Sequence, residues 1–190
     1  CQWADGRGSC DLYLATLEGN QWQEPINLKY GGLNTRTWES QPHISHDGRT
    51  LYLSSQRSGG QGGADIWSST YLGEELGWTE PKPLPPPINT PGNEYFPFLS
   101  ASGTTMYFSS DYYMGFGKSD FFMSERTEDG WSRPKNLGYP LNTPGEEQGL
   151  FVNAEGTYAY FSSSRPGGLG GIDIYGFEMD SSIRPKPATL

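Results

Sequence analysis

Short apolar stretches separated by turn-forming residues run along the chain, and no segment has the spacing of an amphipathic helix. The clearest stretches occupy equivalent places in three parts of the chain: residues 50–55, 105–110 and 158–163. In the first of them, Leu51 and Leu53 face one side of an extended strand and Tyr52 faces the other. A strand that is apolar on both faces is covered on both faces. The pattern therefore predicts an all-β fold.

The chain repeats with a step of 53 to 55 residues. A triplet of aspartate, an apolar residue and an aromatic residue begins at Asp11, Asp65, Asp120 and Asp173. A tryptophan three positions before a proline keeps the same step, at Trp22, Trp78 and Trp131. Three units also share, in the same order, an Asn-Thr pair, a glutamate, a turn glycine and a Ser-Ser pair. This repeat indicates one structural unit used several times, in which the aspartates and tryptophans have structural roles.

The repeat fits the four-stranded antiparallel blade of a β-propeller, whose period is commonly about 40–50 residues. The first strand is predicted at 40–45, 95–100 and 149–153, and the second at the three apolar stretches. The third strand begins at the repeated aspartate, and the fourth runs from the repeated tryptophan to Leu28, Leu84 or Leu137. The predicted units are a partial blade at 1–34, blades at 39–90 and 94–143, and a three-stranded last blade at 147–179.

Both terminal units are incomplete, so we expect the chain to be part of a larger ring. Propellers close by combining strands from the two ends of the chain, which leaves no open sheet edge. About four blades' worth of sequence is present, and we expect about six blades in the ring. The propeller segment is predicted at 1–180, and 181–190 is predicted to be a linker to a following domain.

Composition and charge agree with a folded β protein and narrow its partners. The 26 glycines and 15 prolines supply turns, and 6 Trp, 12 Tyr and 9 Phe supply core material that a disordered chain lacks. The formal net charge is −9 and no basic cluster occurs, so we expect neither nucleic acid nor an anionic membrane surface as a partner. No apolar stretch is long enough to insert into a bilayer.

Two glycine-rich loops, 59–65 and 167–173, end in the repeated aspartate and are candidates for calcium binding. Calcium-binding β-rolls repeat Gly-Gly-x-Gly-x-Asp every nine residues, whereas each loop here has an extra glycine and one carboxylate. A single carboxylate is too little charge for an ion that takes six to eight oxygen ligands. We therefore predict tight turns in which the aspartate accepts hydrogen bonds from loop amides.

Candidate catalytic groups are few. His43 and His46 lack a third histidine or a cysteine nearby, which argues against a zinc site. No Gly-x-Ser-x-Gly motif occurs. The carboxylate pairs at 74–75 and 146–147 lie in apparent loops, and we interpret them as solvated acids and not as a glycosidase pair. We predict no catalytic residue, no cofactor and no metal.

One segment breaks the repeat with aromatic residues. Tyr112, Tyr113, Met114 and Phe116 stand where the other units have Arg-x-Gly-Gly. An exposed aromatic loop on a rigid scaffold is typical of a contact with a partner protein. The same residues could instead pack over the neighbouring unit, and the sequence leaves both interpretations open.

The two cysteines, Cys1 and Cys10, flank a short connection between predicted strands. We predict that they form a disulfide across this hairpin, which would indicate an oxidising compartment.

Three motifs together resemble those of a known family. They are Ser-x-Asp-Gly-x-x-Leu-Tyr-x-Ser-Ser at 45–55, Arg-x-Gly-Gly-x-Gly-Gly-x-Asp-Ile-Trp at 57–67, and Trp-x-x-Pro-x-x-Leu followed by Asn-Thr. The combination is similar to the WD40-like, TolB-type propeller repeats of OmpA-family proteins of Bacteroidota, over essentially the whole chain. The aromatic segment departs from the family's glycine loop.

The resemblance implies a non-catalytic scaffold in the periplasm, associated with the outer membrane, that binds other periplasmic or outer-membrane proteins. One protein of this architecture is a periplasmic component of the type 9 secretion system, tied to gliding and export. Peptidoglycan would be bound only by a separate domain outside this chain. Two alternatives remain, the substrate-recognition propeller of a hydrolase or peptidase and a glycan-binding module.

Overall fold

The fold is all-β, and its strands form several separate antiparallel sheets. The computed structural model describes residues 3–187. Its strands are β1 (Tyr13–Leu14), β2 (Leu17–Glu18), β3 (Gln21–Trp22), β4 (Ile26–Asn27), β5 (Glu39–Ile44), β6 (Thr50–Ser55), β7 (Asp65–Thr70), β8 (Lys82–Pro83), β9 (Glu94–Leu99), β10 (Thr105–Ser110), β11 (Asp120–Thr127), β12 (Gly130–Trp131), β13 (Lys135–Asn136), β14 (Glu147–Val152), β15 (Tyr158–Ser163) and β16 (Asp173–Glu178). Helical turns in this part of the chain are limited to Tyr30–Gly32 and Ser181–Ile183.

The sheets follow one another along the chain. In the second unit the strand order is β5-β6-β7-β8. The third unit repeats this order with β9, β10, β11 and β13, and β12 forms a short hairpin with β11. The fourth unit is the three-stranded sheet β14-β15-β16, and the first unit has only the short pairs β1-β4 and β2-β3. Every strand pair within these sheets is antiparallel, as the turn-rich sequence predicts.

Equivalent residues of the repeat occupy equivalent positions in the sheets. The repeated aspartate is the first residue of the third strand and pairs with the last serine of the second strand in three units: Asp65 with Ser55, Asp120 with Ser110, and Asp173 with Ser163. The second strands have the predicted bounds, whereas the first strands begin one or two residues earlier than predicted. The repeat inferred from the sequence is therefore confirmed at the level of strand register.

Each first strand contains a β-bulge, and the bulges link neighbouring units. The pairing of β5 with β6 shifts between Ser40 and His43, and the residue inside this bulge, Gln41, has φ 55°. Phe96 occupies the same position in β9 and has φ 53°. Non-glycine residues adopt this conformation at a cost in free energy. Here Gln41 Oε1 accepts a hydrogen bond from Phe96 N at 2.9 Å, which connects the two first strands.

The predicted fourth strands are not continuous, and that prediction was wrong. Trp78 forms only an isolated bridge with Tyr71, and the paired segment β8 begins four residues later. Trp131 belongs to the hairpin strand β12, and β13 follows it separately. A proline lies between the two segments in each unit, and because proline has no N–H it cannot continue the ladder.

Apolar side chains of the second strands join consecutive units into a continuous core. Leu51 and Leu53 pack with Leu12 and Leu33 of the first unit. Tyr52, on the opposite face of β6, packs with Met106 of the third unit. The same alternation recurs in β10, where Tyr107 lies in a cluster with residues of the fourth unit. Both faces of β6 and β10 are therefore buried, as predicted.

The last sheet differs because no following unit covers it among the described residues. Tyr160 is 51% exposed and Ile174 is 79% exposed. Their equivalents in the second unit, Tyr52 and Ile66, are 4% and 0% exposed. The prediction that β15 is covered on both faces does not hold in this chain.

The asparagine of each Asn-Thr pair substitutes for a neighbouring strand. Asn89 Oδ1 accepts a hydrogen bond from Ile66 N at 2.8 Å, and its Nδ2 donates to Ile66 O at 2.9 Å. Asn34 makes the same two bonds with Leu12, and Asn142 makes them with Phe121. A buried backbone N–H or C=O without a partner is strongly unfavourable. Each asparagine therefore pairs a third-strand N–H that the interrupted fourth strand does not reach. It also adds a second hydrogen bond to the C=O of the same residue, which already accepts one from the backbone N of Leu84, Leu28 or Leu137.

Part of the predicted linker is packed against the sheets. After β16 the chain turns back, and Met179 and Ile183 are buried in the cluster between the third and fourth units. Tyr107 Oη donates a hydrogen bond to Ile183 O at 2.6 Å, and Thr104 Oγ1 donates to Lys186 O at 2.6 Å. The described residues of the segment, up to residue 187, follow the groove between these two units.

We expect Asn89→Ala to lower the free energy of unfolding by about 1–3 kcal/mol, because it leaves the buried N–H of Ile66 without a partner, whereas Ile66 O keeps the hydrogen bond from Leu84 N. Urea unfolding at neutral pH measures this loss. The exposed Asn20→Ala is the control and should stay within about 0.5 kcal/mol of the wild type. Equal stabilities for the two variants would contradict the assigned role of the asparagine.

Candidate functional site

The glycine-rich loops lie at one edge of the sheets, which we call the loop edge, where the second strands end and the third strands begin. Asp65 Oδ2 accepts hydrogen bonds from Gln61 N at 3.0 Å and Gly62 N at 3.2 Å, as the turn interpretation predicts. Asp120 accepts the same pair of bonds from Phe116 N and Gly117 N. The aspartate thus fills the centre of its own loop.

Close packing explains why a glycine, Gly60, directly precedes the two residues whose amides bind Asp65. A Cβ on Gly60 would lie 2.0 Å from Asp65 Oδ2, so the loop closes only around glycine. Asp65 Oδ1 is buried and has no hydrogen-bond partner among the described residues. No group of three or more His, Cys, Asp or Glu side chains suited to a metal ion occurs within residues 3–187.

Buried glutamates form a second set of polar residues at the loop edge. Glu39, Glu94 and Glu147 are each the first residue of a first strand, and each is 0% exposed. In every unit one carboxylate oxygen accepts a bond from the backbone N of the preceding Asn-Thr threonine. The other oxygen accepts bonds from that threonine's hydroxyl and from the last serine of the second strand. The interpretation of Glu147 as a solvated loop acid was therefore wrong.

An arginine accompanies the buried glutamate in the second and fourth units. Arg57 Nη2 lies 3.6 Å from Glu39 Oε1, and Arg165 Nη2 lies 3.7 Å from Glu147 Oε1. Arg57 also donates to the carbonyls of Gly32 and Leu33. A buried carboxylate needs such a charge or several donors, because leaving water is costly for an ion.

The third unit lacks this arginine, and an aromatic pair takes its place. Tyr112 stands at the arginine position of the sequence. Tyr113 Oη donates to Pro87 O, which corresponds to the carbonyl of Gly32 that Arg57 binds. Tyr113 therefore replaces the hydrogen bond and supplies no positive charge. No ion pair reaches Glu94 among the residues that the structure describes.

The missing charge changes the acid–base behaviour of Glu94. Burial raises the pKa of Glu94 to about 7, and hydrogen bonds from Thr90 and Ser110 offset only part of this increase. The nearby carboxylate of Asp65 also raises the pKa of Glu94. Glu94 therefore changes its protonation state near neutral pH.

The aromatic segment is divided between packing and exposure. Tyr113 packs against the cluster around Phe122, with ring centroids 5.3 Å apart. Tyr112, Met114 and Phe116 are 54%, 95% and 55% exposed. Tyr113 therefore packs as one interpretation predicts, whereas the partner contact predicted for the exposed residues stays a prediction. Three large apolar side chains project together from a loop that Asp120 holds in place.

The other residues singled out in the sequence are dispersed. Trp22 is 71% exposed, whereas Trp78 and Trp131 are half-buried against the clusters between units. Cys10 is buried, but Cys1 lies outside the described residues, and the disulfide between them stays a prediction.

The two histidines do not form a site together. His43 is half-buried beside Phe98, with ring centroids 4.6 Å apart, and its Nε2 lies 3.1 Å from Leu99 O. Burial lowers the pKa of His43. His46 is exposed in the following turn.

No protein-family model matches the chain, and no curated protein is significantly similar to it. Within residues 3–187 the structure has no helix that is long and apolar enough to cross a membrane.

We expect Asp65→Ala to lower the melting temperature. Neither the wild type nor the variant should bind Ca²⁺ measurably. The loss of the carboxylate removes its hydrogen bonds to the amides of Gln61 and Gly62, and a hydrogen bond to a charged group contributes about 1.5–3 kcal/mol to stability. Thermal unfolding and calorimetric titration with Ca²⁺ measure the two effects. Tight Ca²⁺ binding by the wild type that disappears in Asp65→Ala would overturn the structural interpretation of the loop.

Glu94 should make stability depend on pH. Its folded pKa of about 7 lies above the unfolded value, so its contribution to stability is present at low pH and declines as pH rises from about 4.5 to about 7. Because Glu94→Gln cannot ionise, its free energy of unfolding relative to that of the wild type should rise by about 2 kcal/mol between pH 5 and pH 8.

The matched control is Glu39→Gln, which leaves Arg57 without its carboxylate. This variant should be destabilised at both pH values. Urea unfolding at pH 5 and pH 8 measures both variants. The same pH trend in both would show that the missing arginine has no influence on Glu94.

Proposed function

We propose that the chain is part of a β-propeller that acts as a non-catalytic scaffold for other proteins. The observation that carries this proposal is the exposed group of Tyr112, Met114 and Phe116 at the loop edge. Aromatic residues and methionine are enriched at the centres of protein interfaces. The loop that bears them is held by Asp120 and by the packing of Tyr113, so little ordering is needed when a partner binds.

The interpretation of the sheets as propeller blades has two supports. The first strands of the second and third units are neighbours, linked through Gln41 and Phe96, as the inner strands of a propeller are. Tyr160 and Ile174 leave an apolar face on the last sheet where the preceding units carry another sheet. A following repeat of the same kind would bury this face, in a ring of about six blades.

The family resemblance extends this proposal to location and partners. We propose a periplasmic protein, associated with the outer membrane, that takes part in type 9 secretion or gliding. Its partners would be other periplasmic or outer-membrane proteins, and peptidoglycan would be held by a separate domain. The arrangement of Tyr112, Met114 and Phe116 is compatible with this role, because an apolar patch favours a protein partner over a polysaccharide backbone.

The test is chemical cross-linking in the periplasm followed by pull-down with the intact propeller. The variant Tyr112→Ser/Met114→Ser/Phe116→Ser should lower the recovery of the main cross-linked protein by about ten-fold or more, because central apolar contacts dominate interface free energy. The control Leu17→Ser/Trp22→Ser/Leu76→Ser removes an equal number of exposed apolar side chains elsewhere and should keep recovery unchanged.

Equal recovery by the two triple variants would reject the aromatic loop as the interface. Recovery of a glycan in place of a protein, lost in the loop variant, would favour the glycan-binding module. A hydrolase domain in the same polypeptide would favour a substrate-recognition propeller.

A further inference from the structure

The chain carries its own example of a peptide bound between two units. Residues 180–187 lie in the groove between the third and fourth units, at the edge opposite the loop edge, which we call the turn edge. Ile183 is 7% exposed, and its carbonyl accepts a hydrogen bond from Tyr107 Oη. Further along, Lys186 N donates to Thr105 Oγ1 at 3.4 Å, and Lys186 Nζ pairs with Glu125 Oε2 at 2.6 Å. The backbone of Arg184, with φ −68° and ψ 149°, is extended and is followed by proline.

The equivalent groove between the second and third units is open. It forms a cavity of about 370 Å³ at the turn edge, within the range of about 300–1,000 Å³ that ligand pockets occupy. Thr50 and Tyr52 line it at the positions that Thr105 and Tyr107 hold in the filled groove. Two of the hydroxyl groups that bind the C-terminal segment, those of Tyr107 and Thr105, therefore have counterparts in the open groove, whereas Thr104, which donates to Lys186 O, corresponds to Arg49.

One charge difference between the two grooves lies six residues after the repeated aspartate. Met179, six residues after Asp173, is 1% exposed and packs in the same cluster as Ile183. Arg126, six residues after Asp120, stands at this position in the open groove. Its guanidinium lies 4.5 Å from the ring of Trp131, and its Nε donates to Gly103 O at 3.3 Å. An apolar contact in one groove is thus replaced by an oriented cation in the other.

The remaining polar groups of the open groove are hydroxyls and one carboxylate. Ser100 and Ser102 line it, and their hydroxyl oxygens lie 3.0 Å apart, within hydrogen-bond distance of each other. Asp47 also lines it, and the bonds that its Oδ1 accepts from Ser45 Oγ and Arg49 N hold this carboxylate within its own turn. The acid that binds Lys186 in the filled groove, Glu125, corresponds to Thr70 in the second unit, so the open groove does not favour a basic segment.

We propose that the groove between the second and third units binds an extended, proline-containing peptide segment of a partner protein and holds its acidic side chain between Tyr52 and Arg126. The peptide lies as residues 183–187 lie in the neighbouring groove, with a carboxylate where Ile183 has its apolar side chain. Arginine binds a carboxylate through charge-assisted hydrogen bonds, and the stacking of Arg126 on Trp131 orients it for this contact. This inference deepens the proposed scaffold function by adding a second contact, with a stated ligand chemistry, at the turn edge.

The test uses fluorescence anisotropy of the full chain with two labelled, acetylated and amidated peptides, Glu-Ala-Pro-Ala-Pro and Gln-Ala-Pro-Ala-Pro. The glutamate peptide should bind at least about ten-fold more tightly than the glutamine peptide, and raising NaCl from about 0.05 to 0.5 M should reduce this difference. Arg126→Gln should remove the preference for glutamate. Tyr52→Phe, which keeps the buried ring, should weaken binding by about five-fold through the loss of one hydrogen bond.

The controls are Arg36→Gln and Tyr139→Phe, which make the same chemical changes at exposed positions outside the groove. Both should bind the glutamate peptide as the wild type does, and circular dichroism should show that all four variants are folded. Equal affinity for the two peptides, no binding of either at millimolar concentration, or unchanged affinity in Arg126→Gln would overturn the proposal. The triple variant at the loop edge should retain peptide binding, so failure of this proposal and failure of the aromatic interface are distinguished.

Discussion

Burial of the second strand on both faces, in the second and third units, is the constraint on which the rest of the structure depends. Leu51 and Leu53 of β6 pack against the first unit while Tyr52 packs against the third, so a single strand contributes to two cores. Because side chains alternate along a strand, one register places both sets correctly, and a shift by one residue would exchange them. The second and third units therefore each share their apolar core with both neighbouring units, as the units of a stacked repeat do. The exposed Tyr160 and Ile174 of the last sheet follow from the same constraint, since no further unit lies against them within the described residues.

Polar side chains form hydrogen bonds to backbone groups that the short strands leave without a partner in another strand. The asparagine of each Asn-Thr pair bonds to a third strand, the glutamate holds the start of a first strand, and the aspartate closes a loop of glycines. These residues lie at or near the loop edge, and most are fully buried, so the hydrogen bonds that they form are with protein groups; Asp65 Oδ1 and Asp120 Oδ1 have no partner among the described residues. The third unit keeps this arrangement but exchanges an arginine for Tyr112 and Tyr113, which leaves Glu94 without a cation and places three apolar side chains in solvent. One local exchange thus alters both the electrostatics and the surface of the same unit.

The two edges of the sheets offer different chemistry. The loop edge presents an aromatic patch suited to a protein surface, and the turn edge presents a groove with hydroxyl groups and an oriented arginine. The C-terminal segment fills one such groove with its own backbone and side chains, and this contact defines how an extended chain fits between two units. A scaffold that uses both edges could hold two parts of one partner, or two partners, at the ends of the same strands.

The sequence by itself determined the repeat, the all-β class, the bounds of β6, β10 and β15, and the place of the aspartates at the start of the third strands. These features follow from local rules, namely the alternation of side chains along a strand and the need for glycine in tight turns. Only the tertiary structure decided that Glu147 is buried, that Arg57 reaches Glu39 from 18 residues away along the chain, and that Tyr113 packs while Tyr112, Met114 and Phe116 are exposed. It also decided that residues 180–187 fill one groove and leave its equivalent open. The physical reason is that burial and pairing in these cases depend on groups that the fold brings together, some from another strand of the same unit and some from a neighbouring unit, and these groups are distant along the chain.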